Sequence, residues 1–532
     1  MRGQLTLRGM IIGVFGAIVI TTSSMLIALK MSSLPWPIIF VSLLSMSLLK
    51  AMGHTSLKEI NVTQTCMSAG AMVAGGLAFT MPGVWMMGMG DQVSWSQLLW
   101  VTMSGVILGL VLTAVLRLYF LELTPHPYPM GQACAQTLSE GDKGGKKSIL
   151  MFAVMGVTAL FTFLRDYLGR IPSLLVSRRA AAFGSSAGIY LSPMLVGIGY
   201  IIGFLPVAVW FLGAVLSDFG VLYLGTEIKL WDSAGALDIK QSLGIGLMVG
   251  SGIGIVLKQA GGFIRRIFTH NQRKHDFLIR IMPVRVGVLL LVVSAFVLTL
   301  LCGLTPATSC VVILGCALTA ILSAECVGMS GINPMEIFGI IVLLLARLLL
   351  GTSGVSAFYV AAAVAVSCGL CGDVMNDFKA GVLLDTNPRA QWIAEAIGGV
   401  VGALVSVGVL MVIVMAYGGG VFQTEDFPAA QASAVAAMVG GVSCPAAFIT
   451  GLVASAVLYL LGLPVITLGL GVYLPFYMSA TVFSGGLIRL IMDRISPRFE
   501  KEAWGTVIAS GLLGGEGIAG VIIALILAVQ AI

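Results

Sequence analysis

Charged residues are scarce in this chain. Only 10% of its 532 residues are Asp, Glu, Lys or Arg, while 58% are hydrophobic. Ordinary soluble domains carry about 25% charged residues, so this composition excludes a water-soluble globular domain. Apolar runs long enough to cross a bilayer, at about 20 residues per helix, recur along nearly the whole chain. The sequence therefore predicts an integral membrane protein without a soluble domain.

Histidines and catalytic motifs are also scarce. The four histidines form no HExxH or comparable ligand set, and no Walker A, GxSxG or kinase signature occurs. The nine cysteines fall partly inside apolar runs, where they resemble small buried hydrophobes rather than a disulfide framework. The CxxC at 368–371 lacks both the βαβ context of a thioredoxin and the second CxxC of a zinc site. We expect no enzyme activity, no cofactor and no metal site.

The apolar runs predict about 16 or 17 transmembrane segments. Several are short or interrupted by Gly and Pro, which indicates half-helices. Basic residues cluster at 258–285, at the N-terminus and at 493–501, and the positive-inside rule places these segments in the cytoplasm. The net charge of +6 thus reflects membrane topology rather than nucleic-acid binding. We expect a lipid-embedded protein of the plasma membrane, of the bacterial inner-membrane type, with a cytoplasmic N-terminus.

Three pairs of short motifs recur in the same order along the chain. AGGLAFTMP (74–82) recurs as AGVLLDTNP (380–388), PMGQACA (129–135) recurs as PAAQASA (428–434), and a glycine and phenylalanine pattern that begins at Gly197 recurs from Gly469. We therefore predict an all-α polytopic membrane protein with two related halves, 1–258 and 285–532, joined by a basic cytoplasmic connection at 259–284. One span without a counterpart makes the repeats inverted, whereas a miscounted helix would make them parallel.

Two segments, PYPMGQACAQTL (127–138) and FPAAQASAVAAM (427–438), are too short to span a bilayer. Pro129 and Pro428 suit a helix start, and the many small residues allow close helix packing. We interpret both segments as re-entrant half-helices, with interfacial loops as the alternative. A helix N-terminus inside the membrane favours anions, so a substrate carboxylate could bind at either tip.

The segment SCGLCGDVMNDFKAGVLLDTNP (367–388) brings several charges between two apolar runs. Asp373 and Asp377 are four residues apart and would share a helix face. Each unpaired charge at the bilayer centre would cost about 2.5 to 3.5 kcal/mol, so these charges need partners or water. Glycines and a proline in the segment would let the backbone break and bring Lys379 back towards an aspartate as its counter-charge. Contact with a substrate carboxylate is the alternative role of Lys379. We interpret the aspartates as a proton-coupling pair, with a cytoplasmic loop as the alternative.

Three further residues are candidates for a substrate site. Glu516 is a lone acid in an apolar run near the C-terminus, and such acids often have a functional role. Tyr128 and Tyr473 could contact a ligand, although aromatic residues are also common at membrane interfaces. The adjacent Arg165 and Asp166 are interpreted as an interfacial pair.

Together these motifs resemble the oligopeptide transporter (OPT) family, especially its prokaryotic branch, which is related to the yellow-stripe metal-chelate carriers. The resemblance covers the chain from about residue 7 to residue 527. The segments that carry it are NVTQTCMSAGAMVAGGLAFTMP (61–82), PYPMGQACAQTL, GDVMNDFKAGVLLDTNPRAQ (372–391), GVYLPF (471–476) and GEGIAGV (515–521). It implies proton-driven import of small peptides or peptide-like chelates by a helical membrane protein.

We therefore predict a proton-coupled secondary transporter that imports small oligopeptides by alternating access. Import of metal–chelator complexes is the alternative; a channel is disfavoured by the charged segment, and a membrane enzyme by the lack of a nucleophile with a base beside it. A homodimer is compatible with the sequence. The residues predicted to bind substrate or to couple protons are Asn61, Gln64, Ser68, Tyr128, Gln132, Asp373, Asp377, Lys379, Gln431, Tyr473 and Glu516.

Overall fold

The computed structural model of the protein is almost entirely helical. It describes residues 3–31, 38–123, 126–143, 146–176, 186–269, 281–422, 424, 427, 429–439, 443–463, 465–501 and 504–530. Its principal helices, numbered in chain order, are α1 (Leu7–Met31), α2 (Ile38–Ala51), α3 (Leu57–Ala78), α4 (Pro82–Met86), α5 (Trp95–Arg117), α6 (Pro129–Lys143), α7 (Lys146–Asp166), α8 (Pro193–Ile202), α9 (Phe204–Val215), α10 (Ser233–Thr269), α11 (Val284–Phe296), α12 (Pro306–Ser330), α13 (Met335–Leu350), α14 (Val355–Leu383), α15 (Pro388–Tyr417), α16 (Ala430–Val439), α17 (Pro445–Leu460), α18 (Val465–Tyr473), α19 (Phe476–Ile495), α20 (Pro497–Lys501) and α21 (Trp504–Gln530).

Nine helical segments of the described chain are long and apolar enough to cross a membrane. Three of them are lengthened by π-helical turns that continue α5, α9 and α11. The shorter apolar helices α2, α8 and α17 accompany the nine. The prediction of a polytopic helical membrane protein is confirmed. The larger number of crossings expected from the sequence would require shorter helices to combine.

The helix ends follow local sequence rules. The side chain of Thr305 accepts the N–H of Thr308 at the start of α12, with Pro306 in the first turn, and α12 ends at Gly331, whose φ is +70°. That left-handed conformation suits glycine, which has no Cβ to clash. Between α14 and α15, Asn387 caps the next helix. Ordinary capping chemistry therefore sets these boundaries.

The centre of the molecule is an antiparallel pair of helices, α3 and α14, both almost completely buried. At one end Asn61 donates a hydrogen bond to Thr386. Further along, the two helices approach each other so closely at Gly76 that a Cβ added there would lie 2.8 Å from Val366 Cα. α3 also packs on α1 and α15, while α14 packs on α5 and α13. The two helices therefore have protein on nearly every side.

The two short segments form helices that are too short to cross a bilayer alone. α6 has 15 residues and begins at Pro129, as predicted. α16 has 10 residues and begins at Ala430, while Pro428 lies outside the described residues. At about 1.5 Å per residue, neither reaches the ~30 Å of a bilayer core.

One departure from the predicted all-α fold is a small antiparallel hairpin of β1 (Leu174–Val176) and β2 (Gly188–Tyr190). Tyr190 anchors it to α19: its N–H donates to Thr481 Oγ1 at 3.0 Å, and that hydroxyl donates to the Tyr190 carbonyl at 2.8 Å. The hairpin joins α7 to α8.

The two predicted halves pack together extensively. α10 of the first half packs on α17 and α18 of the second, and α8 packs on α19. α10 continues to Thr269, so the first part of the predicted connection 259–284 is helical, and residues 270–280 lie outside the described part. The boundaries of the halves remain a prediction.

Candidate functional site

Three carboxylates from two helices meet in the buried centre of the molecule. α14 places Asp373 and Asp377 on the same face, as predicted, and α15 adds Glu395. All three side chains are fully buried, and one carboxylate oxygen from each lies within 4.8 Å of the others. We call these residues the acidic triad. Its burial overturns the alternative that the aspartates belong to a cytoplasmic loop.

Polar side chains of α3 contact one member of the acidic triad. Gln64 Nε2 donates to Asp377 Oδ1 at 2.7 Å, and Ser68 Oγ donates to Asp377 Oδ2 at 2.9 Å. Gln64 also donates to Asn61 Oδ1 at 3.2 Å. From α15, Gln391 Nε2 donates to the Asp377 backbone carbonyl at 2.7 Å. The structure thus brings together Asn61, Gln64 and Ser68 with the predicted aspartates.

The other two members of the acidic triad are not compensated. No described residue donates a hydrogen bond to either carboxylate oxygen of Asp373 or of Glu395. Within the described part of the chain, no Lys or Arg forms an ion pair with any of the three acids. Burying even one unpaired carboxylate costs several kcal/mol. Three charges this close together would repel each other, so the acidic triad needs protons or another cation.

Lys379 is not the predicted counter-charge of the aspartates. Its Nζ donates to the backbone carbonyl of His126 at 3.0 Å. α14 is a continuous helix from Val355 to Leu383, so the predicted backbone break is absent. Because Lys379 follows Asp377 by two residues in a regular helix, their side chains leave the helix on different sides.

The start of α6 is closed by protein partners. The Tyr128 hydroxyl donates to the Ala324 carbonyl at 2.9 Å, and Gln132 Nε2 donates to the Pro127 carbonyl at 2.6 Å. The N–H of Gly131 donates to Asn376 Oδ1 at 3.2 Å. The tip of α6 thus packs against α14 and is not open to a substrate carboxylate, in contrast to the expectation from the sequence.

A cavity of about 690 Å³ adjoins this centre and contains the remaining predicted residues Gln431, Tyr473 and Glu516 in its wall. Its size lies within the range of small-ligand sites. Its wall combines apolar side chains, several of them methionines, with the charged residues Arg165, Asp166, Glu336 and Glu516.

Glu516 is not a lone acid, because Arg165 reaches it from α7. Arg165 Nη2 lies 2.9 Å from Glu516 Oε1, and the same guanidinium holds Asp166 at 2.6 and 2.7 Å. Ser192 Oγ and the Met194 N–H also donate to Glu516, so the acid caps the start of α8. Arg165 and Asp166 do pair, as predicted, but Arg165 is buried.

The cavity and the acidic triad are one helical turn apart. On α3, the cavity residue Met72 follows Ser68 by four positions, and on α14, Gly369 precedes Asp373 by four. A Cβ at Gly369 would lie 3.1 Å from Met335 Sδ and 3.4 Å from the Met72 carbonyl oxygen. Met72 and Met335 both line the cavity. A thin layer of packed residues therefore separates the cavity from the acids.

The acidic triad is also the one group of three His, Cys, Asp or Glu side chains in the described residues close enough together to hold a metal ion. Cys368 and Cys371 are free thiols inside α14, and each sulfur contacts backbone carbonyls. Their helical setting differs from the strand-to-helix turn of a thioredoxin-type pair.

Sequence reasoning missed Glu395 and the role of Arg165. Glu395 is the single acid inside the long apolar run of α15. Such a position alone is a signal of function, so Glu395 could have been found. The pairing of Arg165 with Glu516 joins residues 351 positions apart and leaves no local sequence signal.

A polytopic helical bundle with buried, uncompensated acids beside a cavity is typical of membrane transport proteins. The chain belongs to the OPT oligopeptide transporter family, whose sequence profile matches residues 4–527. This confirms the resemblance seen in the motifs. It is a family of transporters, not of enzymes.

Two relatives illustrate the breadth of this similarity. A predicted oligopeptide transporter of Haemophilus influenzae is 25% identical over 572 aligned positions, which cover 92% of this chain and 90% of that protein. A predicted metal-nicotianamine transporter of rice, YSL13, is 25% identical over 165 positions, 27% of this chain and 23% of that protein.

Proposed function

We propose that the protein is a proton-coupled secondary transporter that imports small peptides by alternating access. The observation that carries this proposal is the acidic triad, three buried carboxylates without a basic partner among the described residues, one helical turn from a large cavity. Coupling requires a site that takes up a cation next to a site that takes up cargo, so that occupation of one site biases the other. The names of the family and of the Haemophilus relative favour a peptide as cargo.

A proton suits the acidic triad better than a metal ion. Hard metal cations surround themselves with six or more oxygen ligands. Both oxygens of Asp377 already accept hydrogen bonds, and one donor, the Gln64 amide nitrogen, would face a metal ion with positive polarity. A proton needs no ligand shell and can be shared between neighbouring carboxylates. The donors on Asp377 therefore favour proton uptake at this site.

We also propose that the two halves are inverted repeats. The sequence match relates α8 and α9 to α18 and α19 by a shift of 272 positions, from Gly199 to Gly471. A Cβ at Gly199 would lie 1.9 Å from the Val482 carbonyl oxygen, and a Cβ at Gly471 would lie 1.9 Å from the Trp210 carbonyl oxygen. Because Trp210 and Val482 are related by the same shift, the two contacts are symmetry equivalents.

The phenylalanines between these helices show the same symmetry. The ring of Phe211 stacks on that of Phe483, its equivalent, at 4.5 Å, and the contacts of Phe204 with Phe483 and Phe211 with Phe476 are exchanged in the same way. α9 and α19 run antiparallel, so a two-fold axis relating them lies across the helices rather than along them. This geometry supports inverted repeats, and alternating access commonly uses them.

Equal destabilisation by Gly199→Ala and Gly471→Ala in a thermal melt would support the symmetry, and a marked difference would oppose it.

The remaining parts of the proposal concern the membrane. We propose that the N-terminus faces the cytoplasm of a bacterial inner membrane, because the basic connections favour the cytoplasmic side under the positive-inside rule. About 16 crossings would follow if shorter helices, such as α2, α8 and α17, contribute crossings in addition to the nine long segments. The homodimer stays a prediction.

Uptake into proteoliposomes under an imposed inward proton gradient tests the function. We expect labelled tri-alanine to accumulate in the wild type. Asp373→Asn, Asp377→Asn and Glu395→Gln should abolish gradient-driven uptake, because each removes a titratable group of the acidic triad. Asp385→Asn is the matched control, since Asp385 is an exposed acid just beyond the end of α14. Unchanged uptake after a protonophore collapses the gradient would exclude proton coupling.

The second candidate is a metal–chelator complex as cargo. It is favoured by the similarity to the rice metal-nicotianamine transporter, which covers a quarter of this chain. Because a chelator supplies the donor atoms, the cavity would need no metal ligands of its own. Competition of iron and nickel chelates against labelled tri-alanine in the same vesicles separates the two cargoes.

A further inference from the structure

The charged side chains of the cavity wall are predominantly acidic. Among the described lining residues, Arg165 is the one cation, whereas Asp166, Glu336 and Glu516 are acids. With all four ionised, the wall carries an excess of negative charge. The wall favours a positively charged ligand if Arg165 has no N–H groups left to bind a negatively charged one.

Arg165 has little capacity left for a substrate carboxylate. Its Nε and Nη2 hold both oxygens of Asp166, and Nη2 also holds Glu516. Its Nη1 donates to the Leu191 carbonyl, and its guanidinium lies over the Tyr190 ring. Four of the five N–H groups of the guanidinium are therefore engaged. Asp166 and Glu516 share this single guanidinium, which balances one of their two charges and holds both side chains in place. Glu336 makes no contact with it.

Among the described acids of the cavity wall, Glu336 is the one without a basic partner. It lies in the first turn of α13, and its side chain is part of the cavity wall. Among the described residues, no Lys, Arg or His forms an ion pair with its carboxylate. Asn333 and Tyr473 lie in the same wall. A carboxylate in this position is available to a ligand that carries positive charge.

We propose that Glu336 binds the α-ammonium group of the transported peptide. An ammonium group offers three donors to a carboxylate, and a hydrogen bond between two charged groups is stronger than one between neutral groups. Met72, Met194 and Met478 offer an adaptable apolar surface for different peptide side chains. This inference depends on the proposed function, since it identifies the end of the peptide that the site recognises. It also predicts poor binding of strongly anionic chelates.

Equilibrium binding to the purified full-length protein in detergent tests this role without requiring transport. The probes are tri-alanine, N-acetyl-tri-alanine, which lacks the ammonium group, and tri-alanine amide, which lacks the carboxylate. In the wild type we expect the amide to bind as well as tri-alanine and the acetylated peptide to bind at least about tenfold more weakly. Glu336→Gln should weaken tri-alanine by a similar factor and leave the acetylated peptide unchanged. Glu227→Gln, an exposed acid outside the cavity, is the matched control.

The preference for a peptide with a free amino terminus shows whether Glu336 recognises the ligand or only stabilises α13. An acid in the first turn also stabilises a helix N-terminus, but losing that effect would weaken all three peptides equally. The proposal is overturned if the wild type binds the acetylated and free peptides alike, or if Glu336→Gln keeps the preference. Binding without gradient-driven uptake would refute proton coupling and leave this proposal standing. Absence of binding by all three peptides would overturn both.

Discussion

Two groups of buried carboxylates lie close to the same cavity and have opposite surroundings. Glu516 accepts hydrogen bonds from Arg165, from Ser192 and from a backbone N–H of α8. Asp373 and Glu395 accept none from any described residue, although they are buried as deeply. Both groups use acids from apolar helices, so composition alone does not distinguish them.

The contrast teaches that burial of an acid does not by itself indicate its role. A carboxylate with a full set of donors has a fixed charge and holds helices together. A carboxylate without donors gains from an added proton, so its charge can change during a transport cycle. These surroundings support a structural role for Glu516 and the exchangeable charge that we propose for the acidic triad.

The largest effect on stability should follow loss of the cation in the paired group. Arg165→Met leaves Glu516 and Asp166 without their shared partner, and breaking a buried ion pair in this way costs about 3–5 kcal/mol. We expect a strongly lowered thermal midpoint in detergent. The double variant Arg165→Met/Glu516→Met should regain part of this loss, because the buried charge is removed as well. A wild-type midpoint for Arg165→Met would contradict the architectural role.

The acidic triad should respond in the opposite way. Asp373→Asn and Glu395→Gln each remove an uncompensated buried acid and retain the side-chain shape, so the loss of stability should stay below about 1 kcal/mol. Gradient-driven uptake should nevertheless disappear. Thermal melting and uptake measured on the same preparations check this separation. If these variants lose as much stability as Arg165→Met, the acids are structural.

An intermediate effect is expected at Ser68, which donates to Asp377 at 2.9 Å. Ser68→Ala removes a hydrogen bond to an acid and should cost about 1–3 kcal/mol of stability. Ser406 on α15 is the matched control, because its buried hydroxyl has no hydrogen-bond partner in the described structure. Ser406→Ala should therefore be nearly neutral. Equal losses in the two variants would indicate that Asp377 gains nothing from Ser68.

The smallest effect is expected at Asp385, whose carboxylate lies 2.5 Å from Lys58 Nζ and is 95% exposed. The neighbouring ammonium lowers the pKa of Asp385 from its usual value. The contribution of this pair is therefore present above the usual aspartate pKa and is lost as pH falls through the lowered one. Because the pair is exposed, Asp385→Asn should leave the thermal midpoint unchanged at neutral pH. Asparagine also tolerates the positive φ of +53° at this position.

Local patterns in the sequence predicted the parts of the site that lie on single elements. The four-residue spacing placed Asp373 and Asp377 on one face, and the proline marked the start of α6 at Pro129. The family motif around Gln64 and Ser68 added the side chains of α3 that contact Asp377.

Features that depend on several elements were not predictable in this way. The position of Glu395 near the two aspartates is set by the packing of α15 against its neighbours, and no spacing rule applies across helices. The expected return of Lys379 assumed a broken helix, but α14 continues through its glycines because its neighbours enclose it. The engagement of Arg165 likewise depends on α7 and α21 packing together.

The complete burial of α3 bears on how the protein is made. The segment that contains α3 is the least apolar of the nine membrane-length segments, and α3 carries the polar residues Asn61, Gln64 and Ser68. A segment with this composition is a poor substrate for insertion on its own, because insertion favours helices that partition into lipid. Its entry into the membrane should therefore depend on apolar helices that insert beside it, with α1 and α2 synthesised first and α14 added later in translation.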